Sequence, residues 1–154
     1  MQSVSVAPLE PSIPGSAQSL TRWPPTPRLL AVLGMDLIDE HDAGDFKLFF
    51  LAFPDSPSAN AQSRAHREGI VELTWNKGTE VKPDFKYHNG NNEPQGFGHL
   101  CVSVPDLDEA CARFEKMGVA FKKRPQEGKM RHIAFIYDPD GYWVEIIPLN
   151  KKNV

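Results

Sequence analysis

The chain has 154 residues, with 17 Lys and Arg against 20 Asp and Glu and a formal net charge of -3. That is about one domain's length, enough to bury a core, and the charge is too small and too scattered for a nucleic-acid or membrane surface. No apolar run approaches the roughly 18 residues of a membrane span, and no basic start leads into an apolar leader, so a soluble cytoplasmic protein is expected.

Residues 1–28 read as a Pro/Ser-rich, disordered tail. Pro8, Pro11, Pro14, Pro24, Pro25 and Pro27 deny helix and ladder hydrogen bonds, and the serines between them favour solvated coil. Val4, Ser5 and Val6 alternate like a strand but are too few to be persuasive. Residues 29–33 followed by Gly34 resemble the last turn of a helix with its left-handed cap, and Pro27 leaves that helix little room to begin.

Three strands are expected next, over residues 35–41, 46–53 and 69–75, as an antiparallel meander. A polar stretch, 76–96, contains Asn89, Gly90, Asn91 and Pro94 and leads into an alternating run over 97–104. Pro105 and Asp106 open a helix, with Asp106 as N-cap, Glu109 three residues on, and Leu107, Ala110, Cys111, Phe114 and Met117 as its apolar stripe. Gly118 ends it. Strands follow at 119–123, 132–138 and 142–148, the last two joined by the turn sequence Asp138, Pro139, Asp140, Gly141. The second half therefore reads βαβββ. The first half reads as the same unit without its opening strand and most of its helix, so the expected class is α+β, a degenerate duplication over residues 29–150. Cys101 and Cys111 fall within the strand and the helix without zinc-knuckle or disulfide spacing, and are expected to be reduced packing residues.

Three polar side chains interrupt these apolar strands. Alternation places Glu72 with Ile70 and Thr74, His99 with Phe97 and Cys101, and Glu145 between Trp143 and Ile147. A buried carboxylate needs a cation, a hydrogen-bond network or a proton, so two glutamates and a histidine could share a divalent ion. Equally, each strand could have one wet face, with both glutamates solvated and the histidine satisfied locally.

The motifs, in order, are Glu72 through Glu80; Tyr87 through Asn91; Pro94; Gly96, Phe97, Gly98 and His99; Val104 through Asp106; Gly128, Lys129 and Met130; Ala134 through Ile136; and Asp138 through Glu145 and Ile146. Their succession resembles eukaryotic glyoxalase I over roughly residues 31–150. That resemblance implies a vicinal-oxygen-chelate fold of paired βαβββ modules and a Zn²⁺ or similar divalent site, Ni²⁺ included, at the interface of a homodimer. It implies Glu72, His99 and Glu145 as metal ligands. The activity implied is that of lactoylglutathione lyase, which converts the hemithioacetal of glutathione and methylglyoxal into S-lactoylglutathione. Glu145 would carry the proton between adjacent carbons and Glu72 would assist on the opposite face. Asn76 matches an asparagine that holds glutathione, Lys123 a basic residue near its glycyl carboxylate, and Met130 a pocket methionine. Phe46, Leu48 and Phe50 match an apolar wall. Each also has a plainer reading: Asn76 as a turn cap, Lys123 as a solvated strand end, the alternating aromatic strand as core.

The chain departs from the family's first signature, of which only Leu33, Gly34 and Met35 remain. Counting back without gaps puts the first-strand ligand at Pro14, which has no donor and does not suit a central strand. Gln18 is too close and Gln2 too far. Gln95 stands where the family has an arginine. A second reading follows: a catalytically impaired homologue acting as a dimerising, non-enzymatic partner. A third is another enzyme of the fold, a metal-dependent dioxygenase or a thiol-transfer resistance protein, which the Asn89 to Asn91 and Gly96 to His99 segments oppose.

Overall fold

A computed structural model of the chain describes Val4, Ser5 and residues 31–149. Its strands are β1 (Val4–Ser5), β2 (Asp36–Asp42), β3 (Phe46–Ala52), β4 (Val71–Asn76), β5 (His99–Val104), β6 (Phe121–Lys123), β7 (Ala134–Tyr137) and β8 (Trp143–Pro148), with helix α1 (Leu107–Lys116) after β5. The chain divides into two units, Pro8–Phe85 on the one hand and Met1–Ala7 with Lys86–Val154 on the other.

In the unit Pro8–Phe85, residues 31–33 are helical and Gly34 takes a φ of 72°, the left-handed stop expected there. The meander follows as an antiparallel sheet in the order β2-β3-β4. Strand β3 is central and its second half, from Phe49 to Ala52, is buried on both faces, as its near-continuous apolar run requires. The rest of the proposed tail, residues 1–3 and 6–28, and the start of the first helix, residues 29 and 30, lie outside the described residues, and with them the stretch in which an opening strand was expected to be lacking.

The other unit is a mixed sheet in the order β1-β5-β8-β7-β6. Strand β5 runs parallel to β8, while β8, β7 and β6 are antiparallel neighbours. Val102, Val104, Val144, Ile146, Ala134 and Ile136 are buried on one face of the sheet, with Leu107, Cys111 and Phe114 of α1 in the same core. Asp106 caps α1 by accepting from the Glu109 backbone N–H at 2.9 Å, as the sequence pattern predicts. Val4 and Ser5, too few to be persuasive as a strand, pair in parallel with Val102 and Ser103 and form β1.

Strand ends differ from expectation for identifiable reasons. Strand β5 begins at His99 instead of Phe97, because the Gly98 carbonyl is taken by the Asn91 side chain at 2.8 Å. Strand β6 begins at Phe121 instead of Val119, whose N–H closes the helix end on the Phe114 carbonyl at 3.0 Å. Strand β7 begins at Ala134, after the Ile133 carbonyl has accepted from Lys123 at 2.9 Å.

Candidate active site

Register decides which side chains meet on the open face of the β5/β8 pair. His99 is opposite Trp143 and Cys101 opposite Glu145, so these four share the face turned away from the Val144 and Ile146 core. His99 Nε2 lies 3.2 Å from Glu145 Oε2, with 26% of the His99 side chain and 13% of the Glu145 side chain exposed. Phe135, the β7 partner of Glu145, meets the His99 ring edge-on at 5.2 Å and the Trp143 ring at 5.8 Å. Aromatic rings thus displace water around the pair, and a polar contact there is screened less than one at an open surface.

Cys101 feels this environment directly. Burial first, and then the Glu145 charge and hydrogen bond, push its thiol up to about 11 from an ordinary value of 9.0. The neutral S–H is therefore the form that faces the Glu145 carboxylate at physiological pH.

Lys123 and Met130 belong to the same unit. The Lys123 ammonium donates to the carbonyls of Met130 at 2.6 Å, Ile133 at 2.9 Å and Arg124 at 3.2 Å. Three donors meet three acceptors, so this lysine closes the loop after β6 instead of ending in solvent. Met130 is exposed on that loop. Lys122 sets its ammonium 5.0 Å from the Trp143 ring centroid.

Glu72, Asn76, Phe46, Leu48 and Phe50 gather in the unit Pro8–Phe85. Phe50 is opposite Glu72, Leu48 opposite Thr74 and Phe46 opposite Asn76, which puts all six on one face of the β3/β4 ladder. Glu72 is exposed whereas Glu145 is largely covered, so of the two readings left open by alternation the wet face describes β4 and the covered face β8. The physical reason is that β4 alternates half-buried and exposed positions, and Glu72 takes an exposed one. Asn76 is also exposed. Its backbone carbonyl, not its amide, serves the following turn by accepting from the Thr79 hydroxyl at 2.8 Å. Arg64 lies over the Phe50 ring and pairs with Asp39 beside it.

Two donors about 2.0–2.2 Å from one zinc ion sit roughly 2.9–3.5 Å apart at tetrahedral or octahedral angles. The His99–Glu145 separation of 3.2 Å falls in that interval, and an imidazole nitrogen with a carboxylate oxygen is a suitable donor set for such an ion. The pair therefore fits as part of a divalent-metal site. Among the described residues, no three His, Cys, Asp or Glu side chains gather as a metal cluster.

Residues 30–146 match the model of the Glyoxalase/Bleomycin resistance protein/Dioxygenase superfamily. The chain belongs to this superfamily. Among its relatives in the superfamily is the lactoylglutathione lyase of Pseudomonas putida, 51% identical over 124 residues that make up 75% of this chain and 72% of that protein. The lactoylglutathione lyase of Schizosaccharomyces pombe is 51% identical over 121 residues, again 75% of this chain but 40% of the relative. In fold, the chain resembles the trypanothione-dependent glyoxalase I of Leishmania major, with a TM-score of 0.61 at 23% identity over 96% of this chain and 83% of that one. The α+β glyoxalase fold expected from the motifs is thus the fold of this chain.

Two features of this superfamily member escaped the sequence reading. Phe135 was legible only as one residue of an alternating strand, although the same alternation places it on the face of Glu145. Asn89 and Asn91 carried the resemblance without a physical role, and only the folded loop shows which carbonyls their amides reach.

Proposed function

We propose that the chain is a lactoylglutathione lyase, converting the hemithioacetal of methylglyoxal and glutathione into S-lactoylglutathione and so removing methylglyoxal. The observation that carries this reading is the 51% identity to the Pseudomonas putida lyase across 72% of that protein's length. The His99–Glu145 pair supports it independently, since it offers a carboxylate beside an imidazole on a half-dry face.

The reaction moves one proton between neighbouring carbons. Glu145 is the group assigned to take it from the first carbon and return it to the second, because a carboxylate held by a neighbouring imidazole can point its remaining lone pairs at substrate. A divalent cation, zinc or nickel, would find two ligands in His99 and Glu145, with Glu72 a ligand by the resemblance alone, and would supply the Lewis acidity that makes such a carbon acid ionisable near neutral pH. Phe135, packed edge-on against His99 and Trp143, would limit the access of bulk water to the reacting carbons. Asn76 is assigned to the glutathione peptide, with Phe46, Leu48 and Phe50 as an apolar wall and Glu72 as a second carboxylate, the roles that the resemblance to glyoxalase I implies for them. Lys123 and Met130 are assigned to the far end of the substrate, by way of the loop that Lys123 closes. A homodimer in the cytoplasm is the assembly assigned, as the resemblance to glyoxalase I implies. The reading as a non-enzymatic partner gains no support from relatives named as lyases.

The deciding experiment is a lyase assay on the purified chain after loading with zinc or nickel, following S-lactoylglutathione directly. Metal-dependent product formation is expected, and absence of product at every loading would end the proposal.

A further inference from the structure

Strands β5 and β8 are parallel neighbours joined through a long crossover, so no hairpin turn pins their first rung, His99 opposite Trp143. The β7–β8 hairpin fixes Trp143, opposite Tyr137, but not His99, so the entry to β5 must be held to that hairpin by other contacts. The loop before β5 supplies two side-chain amides at this place. Asn91 Nδ2 donates to the Gly98 carbonyl at 2.8 Å, in the peptide that enters His99. Asn89 Nδ2 donates to the Gly141 carbonyl at 3.1 Å, two residues before Trp143. The two asparagines are themselves locked together. Asn89 Oδ1 accepts from the Asn91 N–H at 3.0 Å, and Asn91 Nδ2 also reaches the Asn89 carbonyl at 3.3 Å.

The loop between them is tightly folded. Gly96 N–H donates to the Gly90 carbonyl at 3.0 Å, and a Cβ on Gly90 would meet the Phe97 carbonyl oxygen at 2.3 Å. One compact loop therefore holds, through a few hydrogen bonds, the starts of the two strands that carry the imidazole and the carboxylate. His99 and Glu145 meet on a diagonal of the ladder, since Glu145 is opposite Cys101, so a small slip at the first rung changes their separation directly.

We propose that Asn89 and Asn91 are positioning residues that set the His99–Glu145 geometry for the lyase reaction and for metal capture. This inference rests on the function proposed above for its kinetic consequence, but not for its structural one. A misplacement of about 1 Å at a reacting group can cost about 10²-fold in rate, and outer partners of metal ligands are worth about 10–100-fold in affinity or activity.

Asn91→Asp and Asn89→Asp test it, because each keeps the side-chain shape and removes the amide donor. Asn92→Asp, at an exposed neighbouring position, controls for the added charge. The His99 ring ¹⁵N resonances of the metal-free protein, the Co²⁺ dissociation constant, and kcat and KM separately are compared with the wild-type chain, alongside thermal unfolding. Both test variants should unfold cooperatively near the wild-type temperature, shift the His99 ring signals, and weaken Co²⁺ binding or lower kcat by about 10–100-fold with KM little changed. Asn92→Asp should do none of this. Unchanged His99 signals with unchanged Co²⁺ affinity in folded Asn91→Asp overturn the proposal. So does a loss of activity that merely follows a loss of folded protein in both variants. A wild-type chain without lyase activity sinks the function while the ring signals still decide this point.

Discussion

Cys101 and Glu145 face each other directly across the parallel β5/β8 pair, and the thiol is held neutral, up to about 11, by burial and by that carboxylate. The two residues have unequal roles: Glu145 is the assigned proton carrier, while Cys101 offers its carboxylate one weak S–H donor. Glu145→Gln is therefore expected to lower kcat by about 10²–10⁴-fold without unfolding the chain. Cys101→Ala, which removes one modest hydrogen bond of about 1 kcal/mol, should change kcat by about tenfold at most. Steady-state kinetics with unfolding curves check both, and a Glu145→Gln variant of near wild-type kcat would remove the proton-carrier assignment.

Lys123 satisfies three loop carbonyls before any substrate arrives. Lys123→Met keeps the apolar stem and removes the charge-assisted donors, so loss of about 1–3 kcal/mol of local stability over residues 124–133 is expected. Limited proteolysis and hydrogen exchange of the substrate-free protein should report faster opening of that loop. An unchanged loop, with only KM raised, would mean that the ammonium leaves its carbonyls to meet the substrate.

The parts of the fold that alternation and caps specify were legible beforehand. The meander, the helix capped by Asp106 and the faces of His99 and Glu145 all follow from local pattern, because period-two burial and an Asp N-cap act within a few residues. Strand ends were not legible, since they depend on which side-chain donor from outside the strand claims a carbonyl: Asn91 donates to Gly98, and Lys123 to Ile133. The exposure of Glu72 was undecided for a related reason. Alternation reveals which side chains share a face, but not which face is covered.

Cys111 makes stability pH-dependent on the alkaline side. Burial, followed by the Asp108 and Glu115 charges, raises its thiol from 9.0 to about 11. The folded chain then holds this proton where the unfolded chain releases it, so stability falls as pH rises from about 9 and the effect is complete above about 11. Melting temperatures of the wild-type chain and Cys111→Ala, compared across that window, test the sign. The variant should start lower, from the packing lost beside Phe114, but decline less steeply. Parallel declines would show that the thiol's proton is not linked to folding.

Gly44 and Gly90 separate two reasons for a glycine. Both have positive φ, 92° and 73°, yet a Cβ on Gly44 meets nothing within 4 Å whereas one on Gly90 runs into the backbone of Phe97 and Gly96 at 2.3–2.8 Å. Gly44→Ala should cost only the left-handed penalty, about 1–2 kcal/mol. Gly90→Ala carries a comparable penalty and in addition must push the loop off Phe97, because the atoms it meets are main chain and cannot swing aside as a side chain would. That movement strains the Asn91–Gly98 hydrogen bond, which lies in the same loop at 2.8 Å. Urea unfolding should thus show a clearly larger loss for Gly90→Ala, and the His99 ring resonances should shift in that variant but not in Gly44→Ala. Equal losses in the two variants would contradict the close approach of the loop to itself, and with it the rigidity that the asparagine pair requires.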